Sequence, residues 1–190
     1  MPLIITGPIN SGKSTFVHQF ARELLPHHIT IGGIFNLPVF ELGTKIGYDA
    51  HSAVFLSLLT QQSLRIIKGT PFARLKSLVP HPAKPDLEFG QWIIFYDGIH
   101  FCVQQIEQAI QSQKQVIFID EIGPLELAGQ GFRSILDTIL VAGNELPYQL
   151  ILVVRDSAVE KVKALYPNQT FTIYNVSETK ILDILNDLKA

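Results

Sequence analysis

Nine consecutive residues, Gly7-Pro8-Ile9-Asn10-Ser11-Gly12-Lys13-Ser14-Thr15, carry the densest chemistry in the sequence. They spell G-x-x-x-x-G-K-S. The two glycines permit backbone angles that let successive N–H groups turn inward on an anion. Lys13 is spaced to reach the β- and γ-phosphates of a nucleotide and the Ser14 hydroxyl to ligate Mg²⁺. Thr15 offers a further hydroxyl, placed for the α-phosphate. A plain glycine turn would need neither Lys nor Ser in that register, so the stretch reads as a phosphate-binding P-loop.

The second chemical cluster is Asp120-Glu121, directly after the apolar run Val116-Ile117-Phe118-Ile119. An aspartate closing a buried strand downstream of a P-loop is the Walker B arrangement, in which Asp120 holds Mg²⁺, usually through water. Magnesium needs only one carboxylate, so Glu121 is free to orient and partly deprotonate a water in line with the γ-phosphate. Gly123-Pro124 fixes the loop behind it, and Glu126 is a lesser candidate, as a structural anchor. Arg155 closes another apolar run, on the side of the sheet where ligands bind. It reads equally as a catalytic cation with Glu121 and Lys13, or as one half of a surface salt bridge.

These residues need elements to hold them. Leu3–Thr6 reads as a strand and Phe16–Leu25 as a helix, so strand, glycine loop and helix start follow in the order a phosphate site requires, with the helix N-terminus adding partial positive charge. Strands are expected at 29–35, 115–119, 148–154 and 171–174, and helices at 97–111, 131–141 and 179–188, with Asp97 capping the first and Asp156 or Ser157 capping one after 155. Between 36 and 96 this alternation breaks down. Short strands are expected at 37–40, 45–49, 53–56 and 91–96, with Gly43 in a hairpin turn, a strand or helical turn at 64–67, an ambiguous stretch at 72–79 and a proline-rich loop at 80–85. Residues 36–96 thus read as a β-rich insertion packed on the core of a single domain, 1–190, because no linker composition bounds it.

Composition narrows the class. Of 190 residues 47% are hydrophobic and 17% charged, which favours one folded globular unit over disorder. The net charge of −2 lacks the basic stripe of a nucleic-acid binder. The single cysteine, Cys102, excludes an intramolecular disulfide and fits a reducing, cytoplasmic setting as a small buried hydrophobe. No apolar run reaches transmembrane length, and the N-terminal apolar stretch becomes the P-loop strand, so it reads as structure rather than as a signal peptide. The adjacent His27 and His28 read as a solvated turn, not a metal site.

The chain resembles the small P-loop nucleoside-triphosphatases described from thermophiles and, in animals, as the "cancer-related" nucleoside-triphosphatase. The resemblance is carried by 7–15, by Gly33-Ile34-Phe35 with Lys45-Ile46-Gly47-Tyr48-Asp49, by Phe89-Gly90-Gln91-Trp92, by Asp120-Glu121-Ile122-Gly123-Pro124-Leu125-Glu126-Leu127 and by Tyr174-Asn175-Val176-Ser177. It implies an α/β, three-layer P-loop NTPase with a mainly parallel RecA-like sheet, the strand at 149–154 lying between the P-loop strand and the Walker B strand. It also implies slow, Mg²⁺-dependent hydrolysis of nucleoside triphosphates (ATP and GTP) with loose base preference. The chain departs from the family at Asn36, Leu37, Pro38 and Phe40, at Thr44 and Lys45, at Pro124 and Leu125, and at Lys180 and Ile181, so the parts that would grip a base or a partner are altered while the hydrolytic core is kept.

Two other classes compete with a hydrolase. A nucleotide or small-molecule kinase shares the P-loop, but it uses clustered arginines for a phosphorylated second substrate. Only Arg22, Arg65, Arg74, Arg133 and Arg155 exist here, scattered in sequence. A nucleotide-dependent switch or delivery module would use hydrolysis as a timer and present the β-rich insertion to a protein partner. The sequence carries no signal of oligomeric state.

Overall fold

Three runs of branched aliphatic residues form the parallel centre of the sheet: β1 (Leu3–Gly7), β7 (Val116–Ile122) and β8 (Gln149–Arg155). Such runs suit strands buried on both faces. β8 lies between the other two, pairing Ile5 with Val153 on one side and Ile119 with Leu152 on the other. This is the arrangement the resemblance implies. β2 (Ile31–Glu41) flanks β7 and β9 (Thr172–Asn175) flanks β1, both parallel. The structure is a computed structural model and describes residues 1–57, 69–79, 86–141 and 146–189. The elements expected at 64–67 and 80–85 fall outside the described residues.

The insertion does not form a layer of its own. It continues the same sheet through β3 (Thr44–Ser52), β4 (Thr70–Leu75), β6 (Trp92–Ile94) and β5 (Leu87–Phe89), all antiparallel. The full order is β5-β6-β4-β3-β2-β7-β8-β1-β9. The sheet is therefore mixed: parallel where the P-loop sits and antiparallel across the insertion. The expected strand at 37–40 is the distal half of β2. The run at 53–56 is instead a short helix, α2 (Ala53–Ser57), with Ala53 buried against the P-loop side of the core. So short an apolar run has no period that separates helix from strand.

Helices cover both faces. On one, Phe118, Ile151 and Val153 pack against Val17, Phe20 and Leu24 of α1 (Lys13–Leu24) and Ile184 of α7 (Ile181–Lys189). On the other, Ile117, Ile119 and Leu152 pack against Cys102 and Ile106 of α3 (Tyr96–Gln111), Leu136 of α5 (Arg133–Val141) and Val162 of α6 (Asp156–Leu165). The short turn of α4 (Pro124–Leu127) follows β7. The cap of α3 comes from outside: the Tyr96 N–H donates to Asp86 Oδ1, and Asp97 lies within the helix. Beside β7, Gly33 has φ +95°, and a Cβ there would meet the Phe118 carbonyl oxygen at 1.9 Å. Only glycine lets β2 approach so closely.

Candidate active site

β1 runs out at Gly7 and α1 begins at Lys13. Residues 8–12 must therefore turn the chain from strand into helix, where the first N–H groups of α1 have no partners within the helix. Asn10 at φ 63° and Gly12 at φ 85° supply the left-handed turns. The loop closes on itself through the Ser11 N–H to the Pro8 carbonyl at 3.2 Å, and α1 starts with the Phe16 N–H to Gly12 at 2.8 Å. Lys13 is buried at 6% exposure and folds back over the loop, its Nζ donating to the carbonyls of Gly7 at 3.0 Å and Pro8 at 2.8 Å. The loop thus shapes itself around its own cation.

Asp120 is fully buried, and neither of its carboxylate oxygens has a well-aligned hydrogen-bond partner among the described residues. Burial, seconded by the neighbouring Glu121 charge, pushes its carboxyl up to about 8, while the Asn36 backbone, the Ser14 hydroxyl and the Lys13 charge pull the other way. Two orphaned acceptor oxygens beside a P-loop serine hydroxyl are the donor set that suits a hard divalent cation completed by phosphate oxygens.

Glu121 occupies an irregularity in β7. Asp120 pairs with Val153 and Ile122 with Val154, so Glu121 is an extra residue in the ladder. The inserted residue resets the alternation: Ile122 packs on the same face as Ile117 and Ile119. Asp120 stays buried while Glu121 is partly exposed at the strand end, where the Arg155 Nε–H donates to its Oε1. Behind it the Gly123 N–H donates to Glu126 Oε2 at 3.0 Å, pinning the turn into α4. Glu126 is itself buried, which raises its carboxyl to about 7.

A cleft of about 520 Å³ gathers these parts. Its floor is residues 9–15, and Glu121 and Arg155 stand in its wall. Of the residues the sequence singles out, Gly7 and Pro8 shape the loop without lining the cleft, and Asp120 lies behind the surface.

A family model described as NTPase matches residues 2–188. The chain belongs to that family. It is 27% identical over 174 residues to the nucleoside-triphosphatase THEP1 of Thermococcus kodakarensis, covering 91% of this chain and 86% of that protein. It is 23% identical to the human cancer-related nucleoside-triphosphatase over 98% and 93% of the two chains. The fold matches the solution structure of a human cancer-related nucleoside triphosphatase with a TM-score of 0.68 at 22% identity, over 98% of this chain and 96% of that one. The crystal structure of THEP1 from Aquifex aeolicus matches at 0.64 and 18% identity over the whole of both chains.

In this NTPase-family chain the far wall of the cleft comes from the insertion: Leu37, Pro38 and Phe40 of β2, Lys45 and Tyr48 of β3, and Gln91 and Trp92. Lys45 Nζ donates to the Tyr48 hydroxyl at 2.8 Å and lies 4.9 Å from that ring's centroid. The sequence singles out each residue of this wall, as a departure from the family or within the stretches that resemble it, but not that they face the P-loop, because only the pairing of β2, β3, β4 and β6 carries them there. The loop after β9 sits beside the P-loop: the Val176 N–H donates to the Thr6 carbonyl at 2.9 Å. It does not line the cleft. Among the described residues no cluster of three His, Cys, Asp or Glu could hold a metal, and no helix is long and apolar enough to cross a membrane.

Proposed function

We propose that the chain hydrolyses nucleoside triphosphates, ATP and GTP among them, to diphosphate and phosphate with Mg²⁺. The observation that carries this reading is Glu121, a carboxylate beyond Asp120 that faces the same cleft as the P-loop. In this reading N–H groups within residues 9–14 and the Lys13 ammonium hold the β- and γ-phosphates. Ser14 and Asp120 hold the metal, a role the orphaned Asp120 oxygens support. Bound there, Mg²⁺ would neutralise charge on the phosphate oxygens. Glu121 orients the attacking water and takes its proton, and Arg155 holds that carboxylate in place and can turn its charge towards the departing phosphoryl group. The continuous sheet of nine strands among the described residues supports treating 1–190 as one unit, and the lone buried cysteine supports a cytoplasmic setting.

The kinase alternative is weakened by the placement of arginines. Arg74 is engaged by Asp49 at 2.5 Å and Arg133 by Asp137 at 2.6 Å, and neither lines the cleft. The deciding experiment measures phosphate release from ATP and GTP with Mg²⁺ and no added acceptor. Steady release that stops with a chelator is expected. Release only after a small-molecule acceptor is supplied would replace the hydrolase with a kinase. A partner-directed switch is a second reading, favoured by Phe40 and Leu42, which are 60% and fully exposed at the tip of the β2–β3 hairpin. It requires a protein retained with a non-hydrolysable triphosphate and released with a diphosphate.

A further inference from the structure

Two cavities meet at the Glu121–Arg155 pair. One is the phosphate cleft. The other, of about 140 Å³, opens between the β-rich part of the sheet and the turn at 123–126. Phe72, Phe89, Trp92 and Ile94 form one wall and Pro124 and Leu125 the other. No P-loop residue lines it. We propose that this cavity is a second subsite, taking a neutral small molecule with one aromatic ring and a hydroxyl group that meets Glu121 and Arg155.

Size and chemistry both select that class. An apolar cavity of about 150 Å³ holds a benzene ring. Tyr48, Phe72, Phe89 and Trp92 line it, with Tyr48 and Trp92 packed edge to face at 5.7 Å and 61°, so a ring can find both faces and edges to meet. The polar end is the ion pair, which presents carboxylate acceptors and guanidinium donors at one point. A hydroxyl both donates and accepts, so it can join the pair without breaking it. Charged ligands fit worse. An anion would face Glu121 and Glu126, which both line the cavity, and a charge of either sign would lose its water against the apolar walls. The triphosphate is excluded for the same reason and by the apolar walls.

Because Glu121 lines both cavities, a ring alcohol bound here engages the same carboxylate that faces the phosphate cleft. Phosphate release should then slow without any loss of nucleotide affinity. That consequence rests on the reading of Glu121 as the hydrolytic base; occupancy of the cavity does not.

The test titrates ¹⁵N-labelled nucleotide-free protein with phenol, and with toluene as the ring lacking a hydroxyl. Saturable shifts are expected at Ala73, Ile94, Leu125 and the Trp92 indole, with phenol binding about tenfold tighter than toluene. Ala73→Leu, which adds bulk at the cavity wall, should remove the phenol shifts and leave nucleotide affinity unchanged. Absence of saturable shifts up to about 10 mM phenol, shifts at 7–15 instead, equal binding of toluene, or undiminished binding to Ala73→Leu would each overturn the subsite. Should Ala73→Leu fail to fold, the shift map and the phenol–toluene comparison on the wild type decide. Phenol that binds in the cavity while phosphate release continues unchanged would support the subsite and count against Glu121 as the base, which keeps the two readings separable.

Discussion

Arg155, the last residue of β8, donates from Nε to Glu121 at the irregularity in β7, so the cation and the carboxylate that the sequence names 34 positions apart form one pair. Both side chains are partly exposed, and the pair's value lies in orientation rather than in stability. One carboxylate oxygen is held while the residue still faces the cleft. Glu121→Gln keeps the shape and removes the basicity. It should cut the rate of phosphate release by about 10²–10⁴ while Mg²⁺–nucleotide binding is nearly unchanged. Arg155→Ala should lower the rate as well, by misplacing the same group. In the double variant the two losses should not multiply, because the residues act as a unit. Independent, multiplicative losses in a double-mutant cycle would separate their roles.

Lys13 Nζ is bonded to the Gly7 and Pro8 carbonyls. A triphosphate must therefore exchange two backbone acceptors for phosphate oxygens. Lys13→Ala should weaken triphosphate binding by about a hundredfold or more, since charge-assisted hydrogen bonds of roughly 1.5–3 kcal/mol each are lost. Calorimetry with Mg²⁺ present checks this. Unaltered affinity would remove the P-loop from the binding site.

The parts that were legible in the sequence are those whose chemistry is local. Residues 7–15 fold as the strand, loop and helix their spacing requires, and Asp120 closes a buried strand as expected. The helix expected at 97–111 forms as α3, and Cys102 is buried in it as a small hydrophobe. The 36–96 region was harder because its information is non-local. The Val54 and Phe55 side chains that suggested a strand are exposed on α2, and β5, three residues long, exists only through its pairing with β6. The Glu121–Arg155 pair depends on the register between β7 and β8, which no local pattern states. The far wall of the cleft likewise needed the β2–β3 hairpin to be folded before Lys45 and Tyr48 could be placed opposite Ser14.

Base discrimination should be weak. The chain has no Asn-Lys-x-Asp stretch of the kind that reads guanine, and on the insertion side of the cleft Leu37, Pro38, Phe40 and Trp92 offer surface more than hydrogen-bond patterns, while Lys45 is engaged by Tyr48. Competition among ATP, GTP, CTP and UTP should give affinities within about a hundredfold, the range one or two hydrogen bonds cover. A wider preference for one base would reveal a reader that neither the loop after β9 nor the hairpin accounts for.

The strongest pH signature belongs to Asp120. Its carboxyl titrates near 3.8 in the unfolded chain and is pushed up to about 8 in the fold, chiefly by burial. Between those values the native state holds a proton that the unfolded state has lost, so this group's contribution to stability is full below about pH 4 and declines as pH rises towards 8. Glu126, raised to about 7 by burial, adds in the same direction, whereas His51, whose pKa is lowered chiefly by burial, opposes it. The clean readout is therefore a difference. Asp120→Asn cannot ionise, so the metal- and nucleotide-free variant should gain stability relative to wild type as pH rises from 5 to 8, by on the order of a few kcal/mol. Adding Mg²⁺ and a non-hydrolysable triphosphate should reverse the ordering at pH 8, because a bound cation favours the ionised carboxylate that the variant lacks. Denaturant melts of both proteins across that pH range, with and without the metal and nucleotide, measure this directly. Parallel stability profiles for Asp120→Asn and wild type without ligands would mean that Asp120 already carries its charge in the folded chain, and an ordering at pH 8 that Mg²⁺ and nucleotide fail to reverse would count against Asp120 as a metal ligand.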